Sequence, residues 1–396
     1  MAIGPDLLDA ASGLQGDTVE LRREIHKDPE LGLELPATQA KILEALSGLG
    51  YSITTGESTT SIVADLVVNR DGPTTLLRAD MDALPLQEDL DVAWKSMHEQ
   101  RMHACGHDSH VAMLVSAARL LSEHRDQLPG NVRLMFQPGE EGFHGARYMI
   151  EEGVLDDVDR AFAIHVITPM PAGMFFTKQG PLMASADRFD ITIKGRGGHA
   201  SMPADAIDPI PAAAQTILGL HAMVGRVKAG TDAAVLTVGH LEAGTTNNII
   251  PETARMEGTL RTFDEKLRAK MKTEIERVAT NIAAAHNCAC DCQIDQGYPV
   301  TSNHAHEVDH AEHVATAILG DGMFHRLPNG VMGAEDFSYV LNEVPGSMAF
   351  LGVAPEGVPT DEIAPNHSNY MTINEDAMAA GVAMYAGMAL SPEFDG

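Results

Sequence analysis

Residues 102–110 read MHACGHDSH: three histidines, a cysteine and an aspartate within nine positions. Each of these side chains can ligate a metal, and Gly106 lets the backbone turn tightly between them. Such a density of donors points to metal binding rather than to coincidence. Other segments supply matching residue types. RADMDALP (78–85) places Asp80 and Asp82 just past an apolar strand, where ligands of an open α/β sheet collect. Taken alone, that pair reads as a turn or a helix cap. FQPGEEGFHGA (136–146) puts Glu140 and Glu141 side by side in a glycine-rich loop. Adjacent side chains normally point apart, so one can bind metal while the other takes a proton. Metal-assisted hydrolysis needs that division of roles. RAFAIHV (160–166) ends an apolar strand with His165, and APNHSNY (364–370) sets His367 in a polar loop.

Three more residues suit substrate contact. GRGGHASMP (195–203) exposes His199 behind a run of glycines, TTNNIIP (245–251) offers Asn248, and GTLRTF (258–263) offers Arg261. An arginine and an asparagine can hold a carboxylate by hydrogen bonds, the arginine bidentately.

The elements that must position these groups follow from apolar spacing. Three- and four-residue periodicity predicts helices over 5–27, 36–49 and 109–124, the last with Asp108 or Ser109 as N-cap. Strands are expected at 61–68, 74–79, 131–136 and 160–165, with a helix near 145–152. Strands alternating with helices give a largely parallel or mixed sheet covered on both faces. From 187 the rhythm becomes strand 187–194, helix 209–227, strands 233–242 and 253–262, helix 264–286 and strand 289–296. That β-α-β-β-α-β order is the ferredoxin-like unit. The remainder returns to α/β, with helices near 305–319, 335–343 and 374–390. The expected architecture is an α/β domain built discontinuously from 1–185 and 299–396, with a smaller α+β domain, 186–298, inserted in it.

The chain has 396 residues, enough for two domains with sizeable cores. Lys+Arg 27 against Asp+Glu 56 leaves a net charge of −29, which argues against nucleic acid or an anionic membrane as partner. No secretory signal or membrane-spanning stretch is read, and four cysteines do not make a disulfide scaffold. A reducing cytoplasm fits best. Two clusters mimic metal sites. CACDC (288–292) puts three cysteines on one face of a strand, which reads as packing. HAHEVDHAEH (304–313) puts His306, His310 and His313 on one helical face, which reads as a solvated polar surface. His26 has no ligand spacing and reads as structural.

RADMDALP, MHACGHD, QPGEEG, AIHV, GGHAS, NNIIP, MGAEDFSYVL and NHSN occur in an order that resembles the aminoacylase/carboxypeptidase-like metallohydrolases. Within them the chain is most similar to the amidohydrolase branch of N-acyl-amino-acid amidohydrolases, hippurate hydrolases and auxin-conjugate hydrolases. The likeness runs from about residue 20 to about 385. It implies a catalytic domain with a central mixed sheet and an inserted ferredoxin-like lid that dimerises. It also implies a centre of two divalent ions, manganese or zinc, with cobalt or nickel as alternatives. Cys105, His107, Glu141, His165 and His367 would be the ligands, with Cys105 bridging. Glu140 would be the general base and Asp82 would orient the site. His199 would stabilise the oxyanion, in the partner subunit's site, while Asn248 and Arg261 would face the substrate's carboxylate. Related peptidases have a His-x-Asp motif where this chain has Asp80-Met81-Asp82, which leaves a ligand role for Asp80 open. The implied activity is metal-dependent hydrolysis of N-acyl amino acids or similar small amides by a homodimer, with a tetramer as the alternative state. A dipeptidase or carboxypeptidase using the same centre is the nearest other activity. A non-catalytic binding relative is disfavoured by the retention of Glu140.

Overall fold

The computed structural model describes residues 3–69 and 71–392. The chain divides into two compact units: Met1–Gly180 with Ser302–Asn329 and Asp336–Gly396, and Pro181–Thr301 with Gly330–Glu335.

The first unit is organised by an eight-stranded mixed sheet. Its strands lie in the order Ser52–Thr55, Ile62–Leu66, Asn131–Gln137, Thr74–Asp80, Arg160–Ile167, Gly346–Gly352, Phe175–Thr177 and Phe324–Arg326. The four middle strands, from Asn131–Gln137 to Gly346–Gly352, are mutually parallel, while Ile62–Leu66 and Phe175–Thr177 pair antiparallel on either side. Strands buried on both faces lose the alternation of a half-exposed sheet and read as continuous apolar runs. Gly346–Gly352 is such a strand, buried at every position, and apolar periodicity does not reveal it. Helix His107–Glu123 packs against the sheet and against helices Gln15–Lys27 and Met378–Leu390, so it too is apolar almost all round. The long N-terminal helix expected over 5–27 is instead two, Pro5–Gly13 and Gln15–Lys27, separated at Leu14.

Two local expectations are corrected. The N-cap of helix His107–Glu123 is Gly106, in the left-handed region at φ 88°, and not Asp108 or Ser109. A Cβ at Gly106 would stand 2.4 Å from Cγ2 of Val166, so both conformation and space require glycine. Asp108 is instead fully buried, paired with Arg22 Nε at 2.6 Å and with His26 Nδ1 at 2.7 Å. Burial works against its charge, but Arg22 and His26 outweigh it and hold the carboxyl far below the usual range. The histidine face of helix Ala305–Leu319 is not solvated as a whole. His310 shares the packed side with Val308, Ala311 and Val314, and its Nε2 lies 3.3 Å from Arg160, while His306 and His313 are exposed.

The second unit has a four-stranded antiparallel sheet in the order Ala234–Ala243, Thr253–Thr262, Asp187–Lys194, Ala289–Gln296. Phe189, Ile191 and Ile193 alternate inward and pack with helices Pro209–Val227 and Glu265–Ala285 in a core of their own. Cys288, Cys290 and Cys292 pack against this same core.

Candidate metal centre

Three parallel strands of the first unit end together. Thr74–Asp80 delivers Asp80 and, two residues on, Asp82. Asn131–Gln137 delivers the loop with Glu140 and Glu141, and Arg160–Ile167 delivers His165. Ligand sites of α/β sheets form at such carboxyl ends. The turn before helix His107–Glu123 adds Cys105 and His107, and the loop after Gly346–Gly352 adds His367, whose N–H donates to the Ala104 carbonyl at 2.7 Å.

These residues form two donor triads that share one sulfur. Cys105, His107 and His165 make the first, and Cys105, Glu141 and His367 the second; within each triad the ligand atoms all lie within 4.8 Å of one another. Cys105 Sγ stands 3.3 Å from Nε2 of both His165 and His367. His367 Nε2 is also 3.3 Å from a Glu141 oxygen. Ring tautomers are set by backbone carbonyls: His107 Nδ1 donates to Asp82 O at 2.9 Å, and His165 Nδ1 to Val166 O at 2.8 Å. That leaves each Nε2 with its lone pair turned to the cluster, the arrangement in which an imidazole binds a metal.

The electrostatics of the cluster call for a cation. His107 Nε2 is buried without a hydrogen-bond partner among the described residues. A buried polar atom left so costs about 1–3 kcal/mol. Cys105 and then Glu141 push the His367 imidazole up to about 10. For His107 burial opposes the charged form, yet Asp80 and Cys105 overcome it and raise the group well above its ordinary value. Burial, then Glu141, pushes the Cys105 thiol up, so a thiolate here requires positive charge beside it. Divalent ions fit this set of sulfur, imidazole and carboxylate donors.

Asp82 organises the acidic loop. Its two carboxylate oxygens accept the backbone N–H groups of Glu140 at 2.9 Å and Glu141 at 3.0 Å. Gly139, at φ 73°, lies so close to Leu33 that a Cβ would come within 2.5 Å of it. The turn brings both carboxylates, not one, to within 4.8 Å of a His107 nitrogen. Glu141 alone also joins Cys105 and His367.

Several residues that frame this cluster have no place in the periodicity reading. Arg78 is fully buried and reaches Asp80 Oδ2 at 2.6 Å, Gln137 Oε1 at 2.9 Å and Asp336 Oδ1 at 3.0 Å. Asp336 also accepts from Gln137 Nε2 and from the Ala146 N–H, tying the acidic loop to the strand end. An arginine inside an apolar strand (TTLLRAD) is the available signal. Asn366, next to His367, donates to the carbonyls of Cys105 and Val166, each at 3.0 Å.

The remaining sequence candidates lie in the second unit. His199 pairs with Ile249 across a short two-stranded ladder, and Asn248 lines the same open pocket. His199 Nδ1 accepts from the Ser201 N–H at 3.1 Å and pairs with its hydroxyl at 2.8 Å. Arg261 sits on strand Thr253–Thr262, partly buried. Burial works against its charge more than Asp187 supports it.

The family model described as Peptidase family M20/M25/M40 matches residues 76–391. The chain belongs to that family. This M20 chain is 38% identical over 376 residues to thermostable carboxypeptidase 2 of Saccharolobus solfataricus, covering 94% of each. It is 36% identical over 373 residues to an N-acetylcysteine deacetylase of Bacillus subtilis, covering 94% of this chain and 96% of the relative. Among solved structures it resembles a dinuclear metal-binding peptidase of the M20 family from Bacillus subtilis. That match has a TM-score of 0.83 and 34% identity, over 96% of this chain and 98% of the other.

Proposed function

We propose that this protein is a metal-dependent amidohydrolase that cleaves N-acyl amino acids or similar small amides at a centre of two divalent ions. The observation that carries the reading is the pair of donor triads sharing Cys105, with Glu140 and Glu141 beside them. Cys105, His107, Glu141, His165 and His367 would hold the ions, Cys105 being common to both donor sets. The M20 relative described as dinuclear supports that count. When bound, the ions supply Lewis acidity that lowers the pKa of water and polarises the amide carbonyl. A thiolate donor suits zinc, and the amidohydrolase likeness adds manganese.

The chain's own groups then do the rest. Glu140 accepts the proton of the attacking water and returns it to the leaving nitrogen. Asp82 fixes where that carboxylate stands, through the backbone N–H groups it holds. His199 donates to the oxyanion that develops, and Asn248 and Arg261 receive the substrate's carboxylate. The Arg261 side chain makes no hydrogen bond among the described residues, which leaves its fork open for such an anion. Arg261→Ala is expected to weaken N-acyl amino acids far more than the matching amides, which lack the carboxylate. Steady-state kinetics on the acid–amide pairs checks this, and equal losses would make Arg261 structural.

The second unit is read as a ferredoxin-like lid and dimerisation domain. Its β-α-β-β-α-β order supports the fold. The exposed edge strand Ala234–Ala243, with Leu241 50% exposed, and Leu218 on helix Pro209–Val227, 70% exposed, support a homodimer. In that dimer His199 would serve the partner's centre. His199→Ala and Glu140→Gln proteins, each nearly inactive, are mixed under exchange conditions. Heterodimers should restore up to about a quarter of wild-type activity. No recovery despite verified exchange would mean that His199 works within its own chain, or not at all.

Likeness to a carboxypeptidase favours peptide cleavage by the same centre as the second reading. A panel of N-acetyl, N-benzoyl and long-chain N-acyl amino acids beside dipeptides, with Mn²⁺, Zn²⁺ or Co²⁺ added to apoprotein, separates the two. Turnover of N-acyl amino acids above free dipeptides supports the amidohydrolase. Among the described residues no helix is long and apolar enough to cross a membrane. We place the enzyme in the cytoplasm, where Cys105 stays reduced.

A further inference from the structure

The stretch MHACGHDSH holds a histidine that the reaction above does not use. His110 lies one helical turn after His107, fully buried, and its ring faces two others: 5.3 Å from His107 and 4.9 Å from His165, centroid to centroid. Both its nitrogens have partners. The Val166 N–H donates to Nε2 at 2.8 Å, which makes that nitrogen the acceptor. Nδ1 therefore carries the proton and donates to Asp80 Oδ1 at 2.5 Å. Asp80 in turn is anchored by Arg78 through its other oxygen.

The Val166 peptide is where this chain of bonds meets the metal centre. Its carbonyl accepts from His165 Nδ1, the bond that sets the tautomer and plane of that ring, and from Asn366. Its side chain fills the space that a Cβ at Gly106, between Cys105 and His107, would need. A shift of this one peptide thus moves His165 against Cys105. We propose that His110 is a positioning residue that, anchored by Asp80, pins the Val166 peptide and so fixes the His165 imidazole for metal binding. The inference rests on the reading of His165 as a metal ligand. It also gives Asp80 a role. With one oxygen on Arg78 and the other on His110, the carboxylate orients rather than ligates.

The two bonds of His110 can be cut separately. His110→Asn retains a donor near the Nδ1 position for Asp80 but is too short to reach the Val166 N–H. His110→Leu removes both bonds at similar volume. His110→Gln keeps a donor and an acceptor on one planar group long enough to span both partners. Stepwise affinities for Co²⁺ and Mn²⁺ are measured on the full chain by chelator competition, with the visible spectrum of the Co²⁺ form and with kcat and KM. Asn and Leu variants are expected to lose about 10–100-fold in affinity for one ion and to keep the other, the usual scale for losing an outer support of a ligand. The Co²⁺ bands should change and kcat fall at nearly constant KM, while Gln stays close to wild type. A general loss of packing would instead lower melting temperature without selecting one ion. If His110→Leu does not fold, His110→Asn carries the test by itself. Wild-type affinity for both ions and an unchanged Co²⁺ spectrum in His110→Asn would overturn the inference. Wild-type protein that binds no divalent ion would overturn the metal reading first, and this inference with it.

Discussion

Stripping divalent ions with a chelator is expected to abolish amide hydrolysis, and added Mn²⁺, Zn²⁺ or Co²⁺ to restore it. The expectation comes from the state of the donors. Cys105, Glu141 and Asp80 surround two imidazoles with acceptor groups, and the His107 ligand atom has no hydrogen-bond partner among the described residues. A buried site of that kind is costly when empty of positive charge and favourable when filled. Binding that favours the folded chain should also raise thermal stability, by about 2.7 kcal/mol at a hundredfold excess of ion over Kd. Activity and melting temperature followed together through chelation and reloading check both statements. Full turnover by protein shown to be metal-free would sink the reading.

Glu140→Gln should leave the centre loaded and the fold intact while kcat falls by about 10²–10⁴-fold, the range set by general-base catalysis. Glutamine matches the shape of glutamate but cannot take a proton at neutral pH. The loop itself should survive, because Asp82 grips the backbone N–H groups of residues 140 and 141 rather than their side chains. Metal stoichiometry, circular dichroism and kcat on one preparation separate loss of the base from loss of the site. A metal-replete variant with unchanged kcat would move the base to another group.

Much of the centre is legible in the sequence because its residues stand at the ends of apolar strands and in glycine turns, where side-chain type and local period agree. His165, Glu141 and the MHACGHD turn all have that property. What escapes depends on partners without a side-chain signature. His110 acts on the N–H of Val166, a backbone group that no spacing rule marks. Strand Gly346–Gly352 escapes because burial on both faces removes its alternation, and with it the reason His367 arrives beside Cys105. Gly106 reads as a tight turn, but its role as N-cap needs the position of Val166, far along the chain.

The arrangement of the first unit along the chain has a consequence for how the protein is made. Cys105, His107, Glu141 and His165 leave the ribosome well before His367, with the whole second unit synthesised in between. At about 5–20 residues per second, that interval is roughly 10–40 s. For most of it the sheet lacks Gly346–Gly352, so the buried strand Arg160–Ile167 presents an unpaired apolar edge. Such an edge invites pairing with other chains and calls for chaperone cover. The second unit, with a core of its own, can fold during the same wait. On the proposed assignment, the donor set that includes His367 is completed last, once the chain past that residue has been released.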